Sequence, residues 1–98
     1  MAQFRRRYVD VVVRFNTQGR VVPTEIIWDR NHRFRIDAVI DIRQRSARRA
    51  GSQGDCYTVQ IVCGDRLETR ELFFERSAAL AGTTLGRWFV EAREPADS

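Results

Sequence analysis

Lysine is absent from this sequence of 98 residues, histidine occurs once, and cysteine and proline occur twice each. All 17 cationic side chains are arginine, a pattern that GC-rich codon usage produces by itself. The arginine count is therefore discounted against the chemistry it would otherwise advertise, the paired hydrogen bonding of guanidinium to phosphate or carboxylate and its stacking on aromatic rings. The lone histidine, His32, would have to serve any acid–base or metal role without a second imidazole, and its setting, Asp-Arg-Asn-His-Arg-Phe, marks it as a solvent-exposed turn residue. No strained nucleophile turn surrounds any serine, so no catalytic residue, metal or cofactor is expected. Cys56 and Cys63 stand at the two ends of one expected strand, on opposite faces and roughly 23 Å apart at about 3.3 Å per residue. A disulfide spans only about 7 Å between Cα atoms, and two reduced thiols suit the cytoplasm.

Long apolar runs are missing too. The stretch Tyr-Val-Asp-Val-Val-Val-Arg-Phe that follows Arg5, Arg6 and Arg7 is interrupted by Asp10 and Arg14, which excludes a signal-peptide core. Nothing approaches transmembrane length, and a cytoplasmic chain without a membrane partner is the expectation. There is no internal repeat. With 43% hydrophobic and 31% charged residues, the composition is that of one folded domain over 1–98 and not of a disordered chain.

What the sequence does have is alternation with a period of two, the mark of half-buried strands. In the first strand Val9, Val11, Val13 and Phe15 form the face expected in the core, opposite Tyr8, Asp10, Val12 and Arg14. A turn at Thr17–Gly19 leads to a second strand over Arg20–Asp29, in which Pro23 cannot donate a ladder hydrogen bond and so predicts an edge or a bulge. The third strand sets Phe34, Ile36, Ala38, Ile40 and Ile42 against Arg33, Arg35, Asp37, Val39, Asp41 and Arg43. A long exposed loop is expected over 45–55, then a hairpin of Cys56–Cys63 and Arg66–Glu75 around the tight turn Gly64-Asp65. A connector over 76–86, with one short helical turn after Ser77, leads to a last strand at Arg87–Arg93 and a frayed tail over 94–98. The reading is an all-β meander barrel of about six antiparallel strands, SH3-like by first choice and OB-like by second.

The segments Pro-Thr-Glu-Ile-Ile-Trp-Asp at 23–29, His-Arg-Phe-Arg-Ile-Asp-Ala-Val-Ile-Asp-Ile-Arg at 32–43, Tyr-Thr-Val at 57–59, Glu-Leu-Phe-Phe-Glu at 71–75 and Arg-Trp-Phe-Val-Glu at 87–91 carry a resemblance. Over Val11–Glu91 the chain resembles a family of small uncharacterised bacterial proteins of unknown function. The matched residues are structural, so the resemblance implies a β-rich fold and no activity, and the stretch Ser77–Gly86 is longer than the family's usual connection.

Three sets of residues remain as candidates. The arginines Arg5, Arg6, Arg7, Arg43, Arg45, Arg48 and Arg49, beside Tyr8 and Tyr57, would suit a single-stranded nucleic acid, whose bases stack on aromatics while guanidinium groups hold its phosphates. Gly51 and Gly54 form a Gly-x-x-Gly next to Arg48 and Arg49, read here as a flexible loop because strands flank it where the nucleic-acid-binding version has helices. Phe73, Phe74, Trp88 and Phe89 occupy both faces of their strands, and any left uncovered would mark a protein-binding surface or a homodimer contact. Asp37 and Asp41, about 13 Å apart on one strand face, exceed the spacing of paired catalytic carboxylates and are expected to pair with arginines. The expectation is a non-catalytic binding module, with nucleic acid favoured over a protein partner or self-association, and an enzyme as the weakest reading.

Overall fold

In the computed structural model, which describes residues 4–46, 53–76 and 86–93, six strands follow one another as a closed antiparallel barrel. They are β1 (Phe4–Phe15), β2 (Val21–Asp29), β3 (His32–Ser46), β4 (Gln53–Cys63), β5 (Arg66–Arg76) and β6 (Gly86–Arg93). The meander closes because β1 pairs with β6 as well as with β2.

Two strands bend from one sheet into another. β1 pairs with β6 through Val9 and with β2 from Asp10 onward. β3 pairs with β2 through Arg35 and with β4 from Ile36 onward. The barrel is therefore a small sheet, made of the second half of β1, β2 and the first half of β3, packed on a larger one made of the second half of β3, β4, β5, β6 and the first half of β1.

Between the sheets lie Ile26, Ile36, Tyr57, Val59, Ile61 and Leu72, with Val9, Val11, Phe34, Val39, Phe74, Trp88 and Val90 packed against them. A second cluster of Cys56, Phe73 and Phe89 sits on the opposite face of the larger sheet. Cys63 packs against the inner cluster and Cys56 belongs to the outer one, so the two cysteines stand on opposite faces and form no disulfide, as their spacing predicts.

Bulges correct the simple alternation. β3 carries register shifts between Ile36 and Ala38 and between Val39 and Asp41. Each extra residue reverses the inward phase, so Val39 packs on the core while Ala38 and Ile40 are exposed, and the second bulge returns Ile42 to the inner row opposite Tyr57, where it is still 51% exposed. In β1 the expected core face holds only at Val9 and Val11. Val13 and Phe15 are exposed, Phe15 at 65%, because β3 has already bent away towards β4 and no second sheet among the described residues covers the end of the β1–β2 hairpin. Pro23 lies at a bulge as predicted, opposite Val13, and is buried; the extra residue Thr24 donates its hydroxyl to the Val12 carbonyl at 3.1 Å.

The strands also run further than alternation alone indicates. β1 begins at Phe4, so Arg5, Arg6 and Arg7 are strand residues paired with β6. The expected loop over 45–55 is shorter, since Gln44, Arg45 and Ser46 pair with Asp55, Gly54 and Gln53, and the expected connector over 76–86 loses both ends, since Arg76 pairs with Gly86. The helical turn after Ser77 and the tail over 94–98 lie outside the described residues. Gly64 takes a φ of 64° in the two-residue turn before Arg66, the left-handed conformation that the Gly-Asp hairpin requires.

Candidate nucleic-acid interface

Strand geometry divides the N-terminal arginines. Successive side chains point to opposite faces, and Arg6 shares the outer face of the larger sheet with Tyr8, while Arg7 turns the other way to stack on Trp28. The Arg7 guanidinium carbon lies 3.8 Å from the Trp28 ring centroid and Nη2 donates to the Trp28 carbonyl at 3.2 Å. That carbonyl belongs to Trp28, the residue at which the β2–β3 register shifts. Arg5 is exposed and engaged with a partner of its own.

On the outer face, Glu75 gathers three donors. Arg6 Nη1 reaches Oε2 at 3.1 Å, and the Tyr8 hydroxyl and Arg87 Nη2 reach Oε1 at 3.0 and 3.1 Å. Burial pushes the Glu75 carboxyl up, but the Tyr8 hydroxyl, Arg87 and Arg6 outweigh it and hold the group below its ordinary value. The aromatic faces are occupied by these same arginines. Arg6 lies 4.7 Å from the Phe89 centroid and Arg87 4.1 Å from that of Tyr8, and Phe73 stacks on Phe89 at 5.0 Å.

This arrangement alters both candidate sets. Tyr57 is a core residue, not a surface platform, and burial raises its hydroxyl above the ordinary range. Phe73 and Phe89 are buried, and Phe74 and Trp88 half-buried against one another at 4.8 Å, so these four do not form an open aromatic strip. Arg43 is bound through Nε to Asp41 at 2.9 Å, and the carboxylate strengthens its hold on the proton. Asp41 thus pairs with an arginine as expected, while Asp37 sits in a bulge. Arg45 is placed by its backbone opposite Gly54, and Arg48 and Arg49 lie outside the described residues. Gly54 has a packing reason of its own: a Cβ there would collide with the Phe74 carbonyl. His32 is exposed beside the β2–β3 turn, with Nδ1 2.8 Å from Asp29 Oδ1, and this contact holds the Asp29 carboxyl below its ordinary value.

Among the described residues an open basic surface lies elsewhere, on the outer face of the small sheet. Cross-strand partners share a face, so the pairing places Asp10, Ile27 and Arg33 in one row, Val12, Glu25 and Arg35 in the next, and Arg14 with Val22 beyond. Among the described residues, Arg33 alone of these arginines has an acidic partner, Glu25 at 3.5 Å. Arg14 and Arg35 are exposed and make no ion pair among the described residues, as do Arg20 and Arg30 at the two ends of β2. At strand and residue spacings of about 4.8 and 3.4 Å, Arg33 and Arg35 stand roughly 7 Å apart, and Arg14 roughly 12 Å from Arg35. Clustering along the sequence missed these residues because they are separated in it. The signal was in the alternation, which sets Arg14, Arg33 and Arg35 on the outward phase of their strands.

A cleft of about 540 Å³ opens on the other side, where β5–β6 pairing stops at Phe73 and Phe89. Ile26, Trp28, Phe34 and Ile61 are among its lining residues, and its one arginine, Arg70, is already held by Glu68. Among the described residues no group of acidic, histidine and cysteine side chains is placed to hold a metal, and no helix is long and apolar enough to cross a membrane. Compared with protein-family models, with curated proteins and with solved structures, the chain matches none.

Proposed function

We propose that this barrel is a non-catalytic nucleic-acid-binding module that contacts the phosphate backbone through the outer face of its small sheet. The observation that carries the reading is the set of exposed guanidinium groups at Arg14, Arg20, Arg30 and Arg35 that have no acidic partner among the described residues, in a chain of net charge +4. Each exposed guanidinium group can hold a phosphate and release its counterions. Among the described residues the face carries no aromatic ring, which favours backbone contact over base stacking and thus binding with little sequence preference.

Anisotropy of labelled single-stranded and duplex oligonucleotides, titrated with the protein at two salt concentrations, tests this. Four phosphate contacts predict an affinity loss of roughly 50- to 150-fold between about 50 and 200 mM salt. Arg14→Glu with Arg35→Glu abolishes most of the binding, while Arg76→Ala, which removes an arginine already paired with Asp55, leaves it within about twofold. Absence of binding at both salts, or binding indifferent to Arg14 and Arg35, overturns the proposal.

A further inference from the structure

Beyond Ile36, β3 pairs with β4 on one edge and has no strand on the other among the described residues. After its second bulge it runs from Asp41 to Ser46 in unbroken register with Thr58 to Gln53. An exposed edge offers a row of unpaired amides and carbonyls to another strand unless proline, charged side chains or bulges blunt it. Beyond its bulges this edge has no proline, its charges Asp41 and Arg43 are of opposite sign, and it exposes Ile40 and Ile42.

We propose that this edge is the interface of a homodimer, in which β3 pairs antiparallel with β3 of a second copy about a two-fold axis through Ile42. The sequence around the axis is self-complementary. Ile42 faces Ile42 of the second copy, Asp41 faces its Arg43, and Arg43 faces its Asp41. Both charged residues are exposed and their side chains already lie on one face, 2.9 Å apart within the strand. Moving the axis by one residue either way opposes Asp41 to itself or Arg43 to itself, and like charges directly opposite destabilise a ladder. The register is therefore selected by charge, as a two-fold interface requires of a patch that meets its own copy. Ile42 also continues an inner row, since its partner is Tyr57 and that of Tyr57 is Leu72. In the dimer the row runs through the axis and covers an isoleucine that the single barrel leaves in water.

Sedimentation equilibrium and light scattering of the full chain, without nucleic acid, read this separately from the binding proposal. A concentration-dependent dimer mass is expected; a monomer at every concentration up to about 1 mM overturns the interface. Asp41→Arg opposes like charges at two symmetric places and weakens the dimer by about tenfold or more, and Arg43→Asp does the same. The double variant Asp41→Arg with Arg43→Asp restores complementarity and the dimer. Far-UV circular dichroism establishes that each variant is folded. A folded single variant that dimerises as tightly as the parent chain, or a folded double variant that fails to recover, also overturns it.

Discussion

Leu72 and Val59 have no exposed surface and meet at the centre of the inner cluster, whereas Leu67, five residues before Leu72 on the same strand, is exposed. Leu72→Ala should therefore cost about 2–5 kcal/mol and Leu67→Ala well under 1, measured by denaturant midpoints. Glu75 gives a different kind of prediction. Its carboxyl titrates below the ordinary value of 4.5 in the folded chain, so its contribution is complete above the unfolded-state pKa and disappears as pH falls through the lowered folded value. Glu75→Gln should lower the melting temperature at pH 7 and flatten its decline between about pH 5 and 3. An unchanged acid profile in that variant would show that the contacts with Tyr8, Arg6 and Arg87 add nothing. Gly86 is required for a steric reason, since a Cβ there would meet the Glu75 carbonyl and the Phe74 ring.

At the scale of the element, β3 shows how a bulge redistributes burial. Plain alternation from Phe34 and Ile36 assigns Ile40 to the core and Val39 to solvent, and the register shifts reverse both. Val39→Ala should consequently cost about 1–2 kcal/mol, and Ile40→Ala less than about 1, the residue losing only strand preference. The opposite order in chemical unfolding would contradict the bulged register. The β1–β2 hairpin makes a related point. Phe15 has the inward phase but no sheet across from it among the described residues, so phase alone does not bury a side chain.

For the whole molecule, closure depends on β6, which joins β5 through Gly86–Phe89 and β1 through Trp88–Arg93. Truncation before Gly86 removes Trp88, Phe89 and Val90 from both apolar clusters and leaves edges on β1 and β5. Such a chain should give no cooperative thermal transition. The intact barrel brings the first and last described strands together, a long-range pairing whose entropy must be met before the contacts repay it, and refolding in milliseconds to seconds is expected by stopped-flow fluorescence of Trp28 and Trp88.

The strand content, the hairpin at Gly64-Asp65, the bulge at Pro23 and the separation of the two cysteines were determined by the sequence, because a period of two, a missing amide and a left-handed turn are local properties. The division of Arg5–Arg7 between two faces was implicit in the same alternation, once those residues were known to be strand. Only the tertiary structure decided which guanidinium groups meet carboxylates. Arg6 and Arg87 converge on Glu75 from different strands, and Phe73 and Phe89 are buried by packing that no spacing along the chain encodes. The open surface at Arg14 and Arg35 is likewise decided by what does not pack there, and the free edge of β3 by the point at which the strand bends from one sheet into the other.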